Sequence, residues 1–364
     1  MINDNEIITL EWDDHIRRPG MYIGKHGDGT EADDGLYILL KEIIDNSVDE
    51  YRFCHSEDII VNLDGDRLTV RDFGRGIDFD RLVHFKEKLV NSGDKTGLSH
   101  RTVGLIGVGL TVVMALSSET TITSYRKGLK KRITTSRGKI VSIDRAQPSN
   151  EPDGLSVCFI PDSQIFGNYK IRADYVRDLL RIYAVCNPGL RLKFGDETFS
   201  APSGMLGLVN DLSENTDKQG VIHIVDDLCD IAFAPANNPG EGKMLSFVNG
   251  NPTILAGTHV RALIDAIYVP MKKYISQRIL KCDIPADLNI CINIKVEDPQ
   301  FESSTKTRLA SRDMSKGGKS IKQYVYELID GNLPKLIALN PDLESSLKYA
   351  FRRINKYNHR NNYV

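Results

Sequence analysis

Gly35-Leu-Tyr-Ile-Leu-Leu-Lys-Glu-Ile-Ile-Asp-Asn-Ser-Val-Asp-Glu50 is the stretch on which the fold turns. Apolar residues at Leu36, Leu39, Leu40, Ile43, Ile44, Val48 and Tyr51 recur at the three-and-four spacing of a helical face. Asp33 or Asp34 is placed to cap the first turn and to favour the positive end of its dipole. The other face carries Glu42, Asn46 and Glu50, each one turn from the next. A solvated stripe on an amphipathic helix would explain that row. A ligand site would too, because four acids (Glu42, Asp45, Asp49, Glu50) crowd together with only Lys41 nearby, and a metal ion would relieve their repulsion. Partners elsewhere in the chain decide between the two.

With 364 residues the chain is long enough for two ordinary domains. It is 41% hydrophobic and 26% charged with a net charge of -2, the balance of a globular protein. Global charge therefore predicts no polyanion partner, and any nucleic-acid surface has to be local. Cys54, Cys158, Cys186, Cys229, Cys282 and Cys291 show no C-x-x-C or zinc-like spacing, so they read as buried free thiols of a reducing compartment. No apolar run reaches the length of a membrane span and the first residues are polar and acidic, so a cytoplasmic location without a membrane partner is expected.

In chain order, residues 1 to 10 read as a flexible arm, and Pro19-Gly20 punctuates the approach to the helix. Ile59 to Leu63, an Asp64-Gly65-Asp66 turn and Leu68 to Arg71 read as a β-hairpin. It runs into Asp72-Phe-Gly-Arg-Gly-Ile77, where two glycines allow a sharp turn and a carboxylate sits at its mouth. That Asp72 is either a plain loop residue or an acceptor for an exocyclic amine. A helix over 81–90 and a polar stretch over 91–103 lead to Gly104-Leu-Ile-Gly-Val-Gly109 and a helix from Leu110 to Leu116. Glycines ahead of a helix free backbone N–H groups for an anion, although neither the Rossmann nor the P-loop spacing is met. Strands are expected at Thr120–Tyr125, Lys131–Thr135, Ile140–Ile143, Leu155–Ile160 and Leu190–Phe194, with a helix at Arg172–Val185. The polar stretch Ser213–Gly220 reads as a linker, dividing the chain into 1–214 and 215–364. Beyond it come strands near 221–225, 229–235, 244–249 and 288–296, a helix over 258–279 and C-terminal helices over 316–358, an α/β alternation with crossovers.

Taken together, Glu42-x-x-Asp-Asn46-x-x-Asp-Glu50, Asp72-x-Gly-Arg-Gly76, Gly104-x-x-Gly-x-Gly109 and Gln300-Phe-x-x-x-Thr-Lys306 resemble the ATPase region of type IIA topoisomerases, the B subunits of bacterial DNA gyrase and topoisomerase IV. Arg18-Pro-Gly-Met-Tyr-Ile-Gly24, Phe247-Val-Asn-Gly-Asn251 and Gly257-Thr-His259 extend the likeness, which spans about residues 10 to 310. Asp34 to Glu42 leans toward the topoisomerase IV type. The resemblance implies an α/β protein of two-layer α+β sandwich form, a Bergerat (GHKL) ATPase domain followed by a transducer domain with a ribosomal-protein-like fold.

It also implies roles. Glu42 is the expected general base, and partial burial would suit it to that task. Asn46 is the expected Mg²⁺ ligand, with water and phosphate oxygens completing the shell. Asp72 would accept from the adenine amine of ATP, Gly76 would let the ring approach beside Ile77, and Glu50 would pair with Arg75 to brace the site. Gly104, Leu105, Ile106, Gly107, Val108 and Gly109 would hold the triphosphate with their amides, helped by Lys95 from the lid. Lys306 would reach the γ-phosphate, where cationic charge helps most in the transition state. The implied partners are double-stranded DNA, an A-type topoisomerase subunit and a second copy of the chain on ATP binding.

Several positions depart from the family pattern. Tyr37 and Ile38 stand where a His precedes the base, Ile106 replaces a polar lid residue, and Ser304 replaces a Gln before Thr305-Lys306. Leu155 follows Gly154 where a Thr is usual, so Ser156 would have to supply the hydroxyl that supports Asp72. The arm before Leu10 has no Tyr to cross to a partner, and no acidic cleavage motif appears before Val364, so DNA cutting is not expected of this chain. The basic tail from Ser345 onward reads as a solvated helix end or a DNA-facing surface. The rival readings are a GHKL chaperone or repair clamp and a nucleotide-regulated module that does not hydrolyse ATP.

Overall fold

The computed structural model describes residues 18–54, 56–83, 109–213, 220–238, 240–274, 279–303 and 306–348. The organising stretch forms one helix, α1 (Gly35–Cys54), and its apolar stripe is fully used: Leu36, Leu39, Leu40, Ile44 and Val48 are all 0% exposed. Asp34 does not cap it. Its carboxylate turns back to accept from the amides of Gly29 (2.9 Å) and Glu31 (3.1 Å) and pairs with Lys25 (3.2 Å), so it fixes the preceding loop instead.

By its contacts the chain divides into two units, one of residues up to 184 with 189–200 and one of 185–188 with residues from 201 onward. Helix Gly204–Leu212 counts with the second unit because it packs on that unit's sheet, which puts the division earlier than the linker expected at 214.

Among the described residues of the first unit, nine strands make one sheet: β1 (Asp58–Asp64), β2 (Arg67–Asp72), β3 (Ser117–Arg126), β4 (Leu129–Ser136), β5 (Lys139–Ile143), β6 (Gln147–Pro148), β7 (Gly154–Pro161), β8 (Arg191–Phe194) and β9 (Glu197–Phe199). Their order is β5-β4-β3-β7-β2-β1-β8-β9, with β6 beside β4. Neighbours are antiparallel except β1 and β8. The expected hairpin is the pair β1–β2, turned at Gly65 with φ +62°. One face of the sheet is covered by α1, which packs on β2, β1 and β7, and by α2 (Gly109–Ala115), which packs on β3, β4 and β7. A third helix, α3 (Ala173–Cys186), locks onto α1 through polar contacts. The Tyr183 hydroxyl donates to the Asp45 carboxylate, both groups being buried. Tyr37 donates its hydroxyl to Gly29 O (2.9 Å) and accepts from Arg172 N (3.0 Å), tying α1, the preceding loop and the start of α3 together.

The second unit holds a five-stranded sheet among its described residues, β10 (Ile222–Val225), β11 (Cys229–Pro235), β12 (Met244–Val248), β13 (Asn251–Pro252) and β14 (Leu288–Ile294), in the order β10-β11-β14-β12-β13. Parallel β12 and β14 are joined by a crossover that contains α5 (Thr258–Tyr274), with α4 (Gly204–Leu212) packing on β11 and β14 and α6 (Ile321–Leu339) on α5. The core is mostly aliphatic, with Ile231, Leu263, Ile267, Ile290, Ile292, Val325 and Ile329, and the aromatic Phe233, at 0% exposure. The C-terminal helical reading resolves into α6 and a second helical run over 341–348. The cysteines are not uniformly buried: Cys186, Cys229 and Cys291 are, Cys158 is half-buried and Cys282 is exposed. Among the described residues no helix is long and apolar enough to cross a membrane.

Candidate functional site

Asp72 ends β2 where the chain leaves the sheet, and its side chain is 4% exposed. One carboxylate oxygen, Oδ1, accepts from the amides of Gly74 (3.0 Å) and Leu155 (3.1 Å). The other, Oδ2, lies 3.4 Å from the Ser47 hydroxyl of α1, whose single proton is shared with Ile43 O at 3.2 Å, so Oδ2 has room to accept a further donor. Burial pushes the carboxyl pKa up to about 6, while the two amides pull it partly back. Ser156 does not supply the supporting hydroxyl. It lies opposite Arg71 in the β2–β7 register, and Ser47 and the Leu155 amide support Asp72 in its place.

The turn after Asp72 is fixed from three sides. Glu50 takes Arg75 in a two-pronged ion pair, Nη2 to Oε1 at 2.6 Å and Nε to Oε2 at 3.1 Å, and its Oε2 also accepts the Arg75 amide at 3.1 Å. Glu50 and Arg75 are thus brought together as expected, on the rim of the turn. Gly74 permits this approach, because a Cβ there would lie 2.7 Å from Glu50 Oε2. Gly76 has φ +64°, and a Cβ on it would strike Tyr125 O at 2.6 Å and Gly154 O at 2.9 Å. Its lack of a side chain is therefore demanded by the strand backbones beneath it, whatever approaches from outside. Ser124, buried on β3, accepts from Ile77 N (2.9 Å) and donates to Ile77 O (2.7 Å), pinning the end of the turn.

Glu42, Asn46 and Glu50 are all half-buried, so their row is not a fully solvated stripe. Glu42 backs onto the first residue of α2: a Cβ on Gly109 would lie 2.1 Å from Glu42 Oε2. The Asn46 amide has no side-chain hydrogen bond among the described residues, so its oxygen, a hard donor, fits the needs of a Mg²⁺ ion that keeps most of its shell as water. Lys95 and Gly104, Leu105, Ile106, Gly107 and Val108 lie outside the described residues. In the second unit Lys306 is 5% exposed and sits at φ +57°, its amide donating to Ser303 O at 3.1 Å. The segment that carries it is held by bridges of Leu309 to Gly257 and to Phe301.

Sequence reasoning missed Ser47 and Ser124. Ser47 had one available signal, a hydroxyl on the covered side of α1 directly after Asn46; Ser124 had none, since a Ser inside a Thr- and Ser-rich strand is unremarkable.

Comparison with known proteins gives the class to which this helix-covered mixed sheet with a buried acid at a strand end belongs. Residues 31–161 match the family model of histidine kinase-, DNA gyrase B-, and HSP90-like ATPases, and residues 205–342 match the DNA gyrase B model. The chain is 33% identical to the B subunit of DNA topoisomerase 4 from Borreliella burgdorferi over 97% of its own length and 61% of that protein. It is 31% identical to the B subunit of DNA gyrase from Thermus thermophilus over 91% of its own length and 55% of that protein. Among solved structures, the 43K ATPase domain of Thermus thermophilus gyrase B, in complex with an aminocoumarin, superposes with a TM-score of 0.75 at 26% identity, covering 99% of this chain and 100% of that one. The first unit is a GHKL ATPase domain and the second a gyrase B-type transducer, and the chain belongs to the type IIA topoisomerase B subunits, of which it spans somewhat more than half the length.

The buried acid gives a pH dependence of stability. The folded pKa of Asp72, about 6, exceeds the ordinary value of 3.8, so the folded state holds the proton more tightly. The resulting stabilisation is complete below about pH 4 and is lost as pH rises through about 6. Urea unfolding of the wild type and of Asp72→Asn should therefore show a stability difference that changes by up to about 3 kcal/mol, against the wild type, between pH 4 and 7. A difference that stays constant across that window would contradict the buried-acid assignment.

Proposed function

We propose that this chain is the ATP-binding and ATP-hydrolysing region of a bacterial type II topoisomerase B subunit, of the gyrase or topoisomerase IV kind, acting in the cytoplasm. The observation that carries the reading is the Asp72 carboxylate, buried with one oxygen bound to two amides and the other left for an outside donor. An adenine amine suits that oxygen, whereas guanine would present a keto acceptor to it.

Around that anchor each residue has a physical task. The Glu50–Arg75 pair holds the turn beside the base, with Gly76 and Ile77 forming its floor. Asn46 holds Mg²⁺ through its amide oxygen, and the ion supplies positive charge to the phosphate oxygens when bound. Glu42, one turn earlier on α1, takes the proton from water as the water oxygen bonds to the γ-phosphorus and the bridging oxygen leaves with ADP. Gly109, with the Gly104–Val108 amides before it, lies on the triphosphate, and Lys95 adds a cation. Lys306 neutralises charge on the γ-phosphoryl group in the transition state. Support for Lys95, Lys306 and the Gly104–Val108 amides comes from the family resemblance. On the same footing ATP draws two copies of the chain into a clamp around double-stranded DNA, and the A-type subunit cuts and rejoins that DNA.

Two experiments test this. Glu42→Gln should bind a fluorescent ATP analogue within about threefold of the wild type, because the change is isosteric, and lose at least about a hundredfold in steady-state turnover; equal turnover would remove Glu42 as the base. Light scattering with Mg²⁺ and a non-hydrolysable ATP analogue at saturation should show the mass double, since a ligand bound only by the closed state shifts the equilibrium to it. An unchanged mass would contradict the clamp.

A further inference from the structure

The hairpin β3–β4–β5 carries a charge excess that nucleotide binding does not use. From Thr121 to Ile143 there are seven cations, Arg126, Lys127, Lys130, Lys131, Arg132, Arg137 and Lys139, and no acid, in a chain whose net charge is -2. Arg137 is spent on Asp162 (2.5 Å) and Arg126 lies against the carbonyls of Arg75 and Gly76 (both 3.4 Å). The other five make no ion pair among the described residues.

Strand alternation sorts them by face. On β4, Ile133 and Thr135 turn to the helix-covered side and are 2% and 0% exposed. Lys130 and Arg132 share the opposite face with Thr134 and Ser136, and the register places Lys139 beside Ser136 and Ser142 beside Thr134. On β3 the same face presents the half-buried Thr121 and Tyr125 and the buried Thr123, so the face opens toward β4 and β5, where cations and hydroxyls line it. Of the neighbouring acids, Glu119 pairs with Arg67 (3.1 Å) and Asp153 accepts the Lys127 amide (2.8 Å), while Asp144, just past β5, stands beside Arg132, its amide donating to Arg132 O (2.9 Å).

We propose that this open face, led by Lys130, Arg132 and Lys139, docks the phosphate backbone of duplex DNA. The proposal rests on the reading of the chain as part of a topoisomerase subunit and adds a contact surface on the ATPase unit. Successive cations on one face of a strand stand about 6.6 Å apart, and together they meet phosphates without needing to read bases. A second copy of the chain would set cation against cation. An acidic peptide added along β5 would need a regular free edge. The register shift at Thr134/Thr135 leaves Val141 bulged out between Ile140 and Ser142, and such a bulge blunts an edge against strand addition.

The test is fluorescence anisotropy of a labelled duplex of about 30 base pairs, titrated with the full chain across a range of salt concentrations. The wild type should bind with a salt-dependent affinity. Lys130→Glu/Arg132→Glu/Lys139→Glu should bind at least about tenfold more weakly at low salt, and its log–log salt slope should flatten by about 2.7, roughly 0.9 for each lost phosphate contact. Replacement of the three by Ser should give an intermediate affinity. Binding of a fluorescent ATP analogue, followed on the same samples, should be unchanged in both variants; it reports folding and tests the nucleotide reading separately. Duplex affinity and slope that are the same in all three proteins, or no duplex binding by the wild type at low salt, would overturn the proposal. So would a Glu-rich peptide that binds this face more tightly than duplex of equal charge.

Discussion

A single buried carboxyl group ties the first unit together. Asp72 is the last residue of β2, and burying it away from water is costly unless its oxygens are occupied. The structure meets that demand from three directions: the turn returns its Gly74 amide, β7 offers the Leu155 amide, and α1 offers the Ser47 hydroxyl. Helix, sheet and turn therefore converge on one side chain. The same convergence explains the glycines around it, because a Cβ on Gly154 would lie 2.2 Å from Asp72 O, and one on Gly76 would collide with the strands below. Ionising that carboxyl at neutral pH carries an energetic penalty, the usual signature of a group kept for binding rather than for stability.

The helix follows from the same constraint. With the apolar stripe and Ser47 turned to the covered face, Glu42, Asn46 and Glu50 lie at its margin, half-buried. Glu50 closes on Arg75 there, and Glu42 closes on the start of α2, where only glycine fits. The loop ahead of α1 is bound by Asp34 and by Tyr37. A buried hydroxyl with a donor and an acceptor satisfied thus braces the helix in that place.

Much of this was legible in the residues. The period of α1, the β1–β2 hairpin and the strands β3, β4, β5 and β7 follow from apolar spacing and turn chemistry, whereas the roles proposed for Glu42, Asn46, Asp72 and Lys306 rest on family motifs. What escaped was set by tertiary contact. Asp34 found donors behind it, in the Gly29 and Glu31 amides, so its carboxylate turned away from the helix. Ser156 was a plausible neighbour for Asp72 until the β2–β7 register placed it opposite Arg71. The strand β9 and the helix α4 are too short for periodicity to separate from loop, and assigning α4 to the second unit needed the sheet it packs on. Exposure of Cys282 is likewise invisible in cysteine spacing.

The central claim is that Asp72 Oδ2, in only long contact with Ser47, selects a base by accepting a hydrogen bond from it. Side-by-side competition of ATP and GTP against a fluorescent ATP analogue on the unmodified chain, at pH 7 where the carboxyl is ionised, tests it most directly. The account predicts that ATP displaces the analogue at least about tenfold more effectively than GTP, since a buried acceptor that meets a keto oxygen loses its hydrogen bond and gains repulsion. Equal displacement by the two nucleotides would contradict it.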